Sequence, residues 1–203
     1  FDWFNRKTIN MVGPAPELPV TLGANVPKMN NADMQSTGFE LDLGWRDRIK
    51  DFDYSVHLLL SDDRQKILKY PNTTGKINTW YVGKYNGDIW GFETIGIAKS
   101  QEEMDAHLAS LPNGGQDALG VKWGAGDIMY RDLNGDGKIS DGATLNDPGD
   151  KKVIGNTSPR FRFGLDLNAS WKGIDVRLFF QGVAKRDAWL NDNMFWGATG
   201  GIW

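Results

Sequence analysis

The sequence predicts an all-β fold, an antiparallel transmembrane β-barrel segment with long extracellular loops and one short loop helix. Three observations predict it. Apolar and polar residues alternate strictly over two pairs of segments, each pair joined by a short turn. About a hundred residues separate the pairs, so short connections lie at one end and a long one at the other, as in outer-membrane barrels. The composition includes 25 glycines, 9 tryptophans and 10 phenylalanines in 203 residues, which suits aromatic girdles and a glycine-rich, polar interior.

The elements follow in chain order. Residues 1–12 read as the end of a strand. Pro14, Pro16, Pro19, Gly23 and Pro27 then break any ladder or helix. From Gly38 a period of two begins, with Phe39, Leu41, Leu43 and Trp45 on one face and Glu40, Asp42, Gly44 and Arg46 on the other. A charged turn is expected at Asp47-Arg48-Ile49-Lys50. Phe52, Tyr54, Val56, Leu58 and Leu60 resume the apolar face, opposite Asp53, Ser55, His57, Leu59 and Ser61. Residues 38–61 thus form one hairpin. A second spans 160–184 around Lys172-Gly173, with Phe161, Phe163, Leu165, Leu167, Ala169 and Trp171 facing one way and Ile174, Val176, Leu178 and Phe180 joining them. Glycine at the second turn position suits the positive φ of a tight hairpin. Trp45, Phe52 and Trp171 sit beside the short turns, where an interfacial girdle would lie.

The intervening region, 62–159, is too long for an ordinary connection and reads as functional extracellular loop. Ser100-Gln101-Glu102-Glu103 is a capping box. Met104, Leu108 and Leu111 follow at helical spacing, and Pro112-Asn113-Gly114-Gly115 ends the pattern, so one helix is expected at 100–111.

Composition excludes several classes of function. The net charge of −3 and the absence of a basic run argue against nucleic acid. Without cysteine there is neither a disulfide framework nor a thiolate metal site. No stretch reaches the ~18 apolar residues of a spanning helix. The mean hydropathy of −0.46 fits a soluble protein or a barrel, since a barrel strand meets lipid only at every second residue. Alternation alone equally fits a soluble sandwich whose apolar faces meet in a core. The starting Phe1-Asp2-Trp3-Phe4 and the final Gly200-Gly201-Ile202-Trp203 read as the ends of an internal piece of a longer polypeptide.

One segment carries ion-binding chemistry. In Asp132-Leu133-Asn134-Gly135-Asp136-Gly137-Lys138-Ile139, oxygen side chains recur at positions one, three and five, a glycine supplies the turn, and the Lys138 carbonyl occupies position seven, the spacing of a calcium loop. Ala143 stands where a bidentate glutamate is expected. Asp150 is the candidate that completes the set, with Asp141 and Asp147 as rivals. The metal candidates are therefore Asp132, Asn134, Asp136, Lys138 and Asp150, and the cofactor expected is calcium. A solvated turn without metal is the plainer alternative.

No catalytic constellation is evident. The polar strand faces carry Glu40, Asp42, Arg46, Asp53, His57, Arg162, Asp166, Asn168, Asp175, Arg177 and Gln181, whose alternating charges suit a hydrated wall. His57 and His107 lie on different elements, and neither a nucleophile elbow nor a phosphate loop occurs. The loop aromatics Trp80, Tyr81, Tyr85, Trp90, Trp123, Trp189 and Trp196 are expected mainly to pin the loops, one or two of them meeting ligand.

Several strings resemble, in order and spacing, the later barrel of SusC/RagA-type TonB-dependent transporters. They are Asp2-Trp3-Phe4-Asn5-Arg6-Lys7-Thr8, Gly38-Phe39-Glu40-Leu41, the run from Gly126 to Ile139, Lys152-Val153-Ile154-Gly155-Asn156, Pro159-Arg160-Phe161 with Gly164, Trp171-Lys172-Gly173-Ile174-Asp175 and Phe179-Phe180-Gln181-Gly182-Val183. The resemblance favours the barrel over the sandwich and aligns Asp150 with the last acid of that family's shorter loop. It implies an outer-membrane barrel of about 22 strands that imports oligosaccharides or peptides. Its implied partners are a TonB complex, engaged by a part absent from this chain, and a SusD-like surface lipoprotein. The competing expectation is a soluble calcium-binding β-domain of a surface adhesin or glycan-binding protein.

Overall fold

A computed structural model describes residues 1–13 and 28–189. The expected Pro-rich break at 14–27, Trp196 and the terminal Gly200–Trp203 lie outside the described residues. The elements, in order, are β1 (Asp2–Gly13), β2 (Met29–Ile49), β3 (Phe52–Lys69), β4 (Asp88–Phe92), β5 (Thr94–Ile97), α1 (Gln101–Ala109), β6 (Ile128–Tyr130), β7 (Lys151–Asn156), β8 (Arg160–Trp171) and β9 (Ile174–Lys185). One sheet is ordered β1-β2-β3-β8-β9, and two small sheets pair β4 with β7 and β5 with β6. The whole long insertion thus leaves from β3 and returns to its sheet neighbour β8. The chain divides into two compact units, one of Phe1–Lys7, Gln35–Lys66 and the residues from Asn156, the other of Thr8–Met34 and Ile67–Gly155.

In the first unit the register turns the alternation into rows. Phe52 faces Trp171, which faces Ile174; Val56 faces Leu167 and then Leu178; Leu58 faces Leu165 and then Phe180; Leu60 faces Phe163 and then Gly182. Side chains that share a face across paired strands are the unit of sheet stabilisation. The rows from Phe52 to Leu60 cover nine residues, about 27 Å of strand, close to the 9–11 residues that a tilted barrel strand needs. This face is open: Trp45, Trp171, Ile174, Val176, Leu178 and Phe180 are all exposed.

Both hairpin turns lie at one end, since Phe52 and Trp171 are partners. Lys172 and Gly173 have φ of 48° and 84°, the positive pair that a two-residue turn matched to strand twist requires. The first turn differs from expectation. β2 continues through Arg48 to Ile49, and the reversal occurs at Lys50-Asp51, with Lys50 at φ 57°. Arg48 reaches across that turn, Nε donating to the Lys50 carbonyl at 2.9 Å.

Two strands also exceed their predicted bounds. β2 begins at Met29 rather than Gly38, and β3 ends at Lys69 rather than Ser61, giving 21 and 18 residues against 12 each in β8 and β9. The extensions carry mixed polar sequence, because alternation marks a strand only where one face leaves water. Gly38 has a packing reason: a Cβ there would lie 2.4 Å from the Asp62 carbonyl oxygen and 2.7 Å from the Phe4 ring.

In the second unit α1 matches its prediction. Ser100 caps it, Oγ accepting from Glu103 N at 3.3 Å, while the Glu103 carboxylate reaches one residue further than a standard box, to Lys99 N at 2.7 Å. Met104 packs with Ala98 and Met129, flanked by Leu108 and Trp123. The strands β4, β5 and β7, of four to six residues, were not expected within 62–159. The free edge of β6 is closed by one side chain. Gln116, fully buried, donates Nε2 to the Ile128 carbonyl (3.1 Å) and accepts from Tyr130 N (2.7 Å) and His107 Nε2 (3.0 Å). Its amide stands in for the next strand, which removes an exposed pairing edge.

Candidate functional site

The polar face of the first unit is a set of local pairs. His57 Nε2 and Asp42 Oδ1 are 2.6 Å apart, and Arg177 holds Asp166 through Nε (3.1 Å) and Nη2 (2.5 Å). Asn168 donates to both Asp166 (3.1 Å) and Ser55 Oγ (3.3 Å), and Arg162 meets Asp63 at 3.2 Å. Opposite charges lie beside one another along part of the ladder, so the wall is polar, with some of its charge locally paired. Among the described residues no hydroxyl is bonded to His57, so the His–Asp pair has no nucleophile to activate. Leu59 interrupts this face as the sequence indicated, and Phe179 is a second interruption that was not foreseen. Phe179 and Leu59 flank Gly164 in an open cleft of about 570 Å³ with Glu40, Asp42, Arg162 and Gln181. Phe179 is the register partner of Asp166, a placement that the alternation around Leu178 and Phe180 could have supplied.

The acidic loop follows β6 directly. Asp132 organises it, Oδ1 accepting from Gly135 N (2.6 Å) and Oδ2 from Gly137 N (2.8 Å). Asn134 Oδ1 accepts from Asp136 N (2.9 Å), and Asp136 Oδ1 from Lys138 N (3.1 Å). These side-chain-to-backbone bonds curl the chain through successive Asx turns, with Gly137 at φ 79°. Of the three rivals for the closing acid, Asp150 joins Asp132 and Asp136, with one ligand oxygen from each within 4.8 Å of the others. Asp141 pairs instead with Lys151. Asp150 is wholly buried and each of its oxygens takes two donors: Leu133 N (2.7 Å) and Asn134 N (3.4 Å) on Oδ1, Ser140 N (2.6 Å) and Ser140 Oγ (3.1 Å) on Oδ2. Burial is the largest influence on the Asp132 carboxyl and pushes its pKa up. The amides of Gly137, Gly135 and Asp136 and a bond with Asp150 outweigh it and hold the carboxyl below its ordinary value.

The donor chemistry suits a hard cation in part. Asp132 and Asp136 are oxygen donors with lone pairs to spare, and Asn134 and the Lys138 carbonyl belong to the same turn. The Asp150 oxygens already carry four donors, so its place is that of the loop's internal support.

The loop aromatics mostly pin the loop, as expected. Trp90 donates Nε1 to the Tyr81 hydroxyl (3.2 Å), and Trp123 donates to the Gly120 carbonyl (3.0 Å) and meets Tyr130 edge-on. A further organiser was not foreseen. Lys84, 7% exposed, donates Nζ to the Ile77 (2.8 Å) and Thr79 (3.0 Å) carbonyls and lies 5.4 Å from the Tyr81 ring centre. Burial lowers its pKa, partly offset by Asp88. A lone lysine in a polar stretch gives no sequence signal of this kind.

No family model matches the chain. Two TonB-dependent receptors of Formosa agariphila do align with it. One is 25% identical over 195 residues, which is 89% of this chain and 18% of that receptor. The other is 30% identical over 178 residues, 82% of this chain and 16% of the receptor. This chain is similar to one stretch of TonB-dependent receptors. Solved structures agree on the fold. The RagAB peptide transporter superposes with a TM-score of 0.57 at 19% identity, and the RagAB peptide importer in an open-open state with 0.58 at 21%, each over 89% of this chain and 18% of that one. The chain thus spans less than a fifth of the length of the relatives it matches. TonB-dependent receptors are outer-membrane β-barrel proteins, and the five-stranded sheet has the one-sided apolar surface of a barrel wall.

Proposed function

We infer that the receptor to which this sequence belongs is a TonB-driven outer-membrane importer of oligosaccharides or peptides that works with a SusD-like surface lipoprotein. The observation that carries this reading is the five-stranded sheet with one apolar face and one polar face on which some charges are locally paired. Such a wall lets polar solutes pass without holding them and presents no acid, base or nucleophile set for catalysis. The names of the RagAB neighbours support import and keep peptides beside oligosaccharides as cargo. The test is growth of a strain lacking the receptor on a panel of glycans and peptides. Loss of growth on one class, reproduced by removing TonB, is expected. Unchanged growth on every substrate, or a full-length receptor that stays in the aqueous phase without detergent, would overturn the reading.

The acidic cluster supports a second element of this reading, calcium at Asp132, Asn134, Asp136 and the Lys138 carbonyl, with Asp150 holding the loop in shape. Calcium would supply a rigid cross-link that lowers the ordering cost when a lid docks. Calorimetric titration of the full-length receptor should give saturable calcium binding that Asp136→Ala removes. Heat of binding indistinguishable between the two proteins would reduce the loop to a metal-free turn.

A further inference from the structure

The described loop tryptophans differ in what their indole N–H groups do. Trp90 and Trp123 have theirs bonded within the loop. The Trp80 indole N–H has no hydrogen-bond partner among the described residues. Trp80 lines an open cleft of about 510 Å³ with Tyr70, Thr79, Lys28, Val12 and Gly13, all within the second unit. Tyr70 meets Trp80 at 5.5 Å between ring centres with the planes 63° apart, so the two rings form a corner with one flat wall and one edge.

The corner is built in advance. Asn72 Nδ2 donates to the Trp80 carbonyl (3.1 Å) and the Lys76 carbonyl (2.8 Å), its Oδ1 accepts from Lys76 N (2.9 Å), and Thr79 Oγ1 donates to the Lys76 carbonyl (3.3 Å). Buried Lys84 fixes the Ile77 and Thr79 carbonyls from below. A ligand meeting rings already held in place forgoes much of the ordering cost.

The chemistry of the lining selects among ligands. Among the described residues, its unbonded polar groups are the Trp80 indole N–H, the Tyr70 hydroxyl and the exposed Lys28 ammonium, and no carboxylate or side-chain amide lines the cleft. An extended peptide carries a backbone N–H at nearly every residue and would find few acceptors here. A sugar ring offers an apolar C–H face for Trp80 and hydroxyls that rotate to accept, and an anionic substituent would answer Lys28. We propose that the Trp80–Tyr70–Lys28 cleft is a capture subsite for an acidic saccharide unit, a pyranose bearing a carboxylate or sulfate. This rests on the importer reading and narrows its cargo.

The experiment is calorimetric titration of detergent-solubilised full-length receptor with tetragalacturonate, a sulfated carrageenan tetrasaccharide, the fully methyl-esterified galacturonate and tetra-alanine. At least one anionic saccharide should bind. Trp80→Ala should weaken it by about tenfold or more, and Trp80→Phe, which keeps a ring and removes the N–H, by less. Lys28→Gln, at an exposed position, should weaken the acid while leaving the ester unchanged. Overturning results are equal binding of acid and ester, binding indifferent to Trp80, no binding of either anionic saccharide at about 10 mM, or Trp80-dependent binding of tetra-alanine, which would make the cleft a peptide site. Membrane insertion and uptake are followed on the same proteins. Insertion and uptake without Trp80-dependent binding defeats the cleft alone, whereas Trp80-dependent saccharide binding by a receptor that imports nothing defeats the importer reading alone.

Discussion

Asp150 shows how a single side chain can set the shape of a loop that its own neighbours advertise as a metal site. Replacing it by alanine leaves the amides of Leu133, Asn134 and Ser140 and the Ser140 hydroxyl without their acceptor. Buried donors left unpaired cost roughly 1–3 kcal/mol apiece. Asp150→Ala should therefore lower the local opening free energy of 132–150 by about 4 kcal/mol even at the lower end of that range, read as lost hydrogen-exchange protection at Leu133 and Ser140. Asp132 predicts a pH dependence. Its carboxyl titrates below its ordinary value of 3.8, so its contribution is complete above that pH and disappears as the pH falls through the lower, folded value. Protection of the Gly135 and Gly137 amides should be insensitive to the Asp132 charge from neutrality to about pH 4 and drop only below 3.8. Loss beginning near pH 6 would mean that another group governs the loop. The closing acid was not legible from the calcium spacing, which points to Ala143. The chain makes an extra excursion, with Asp141 bridged to Gly149, before Asp150 returns to the loop, and only the family resemblance aligned it.

At the scale of elements, local chemistry was legible where the backbone itself makes the demand. The Ser100 cap and the Lys172-Gly173 turn were readable because a helix start needs an acceptor and a two-residue hairpin needs positive φ. Ser100→Ala should destabilise α1 by about 1 kcal/mol, seen as faster exchange at Glu103 with the protection of β8 and β9 unchanged. Elements built by distant partners were not legible. β4, β5 and β7 are too short to show a period, and the closure of β6 by Gln116 depends on a residue that sits in a glycine-rich turn. The outer halves of β2 and β3 were hidden for a different reason. Beyond the apolar rows only single apolar residues such as Ala32 and Ile67 are buried, so the sequences lose alternation while the strands continue. The same argument applies to Lys84, whose two carbonyl partners exist only once the loop has closed. Lys84→Met keeps the stem's volume and removes the donors. It should cost about 1–3 kcal/mol in the opening of 67–87, measured by exchange at Ile67 and Gly83, which bond to this loop's backbone.

For the whole molecule, the decisive property is that one sheet has two solvents. The row of Leu58, Leu165 and Phe180 belongs to an apolar face on which Leu178 and Phe180 are exposed, while the other face carries ion pairs such as Arg177 with Asp166. The two faces should therefore respond in opposite ways to the same substitution. Leu165 lies mid-row, between Leu58 and Phe180, so Leu165→Arg puts a cation in hydrocarbon at a cost of roughly 2–4 kcal/mol near the midplane. Asn168→Arg, on the inner face beside Asp166 and opposite Arg177, meets water that screens the like charge and a carboxylate that both cations share, and should cost little by comparison. The measurement is the folded fraction of full-length receptor in lipid vesicles across a urea series, read by heat-modifiable migration. The barrel assignment requires that Leu165→Arg shift the midpoint much further than Asn168→Arg. Equal shifts would mean that the two faces share one solvent, and the sheet would then be a wall of something other than a barrel.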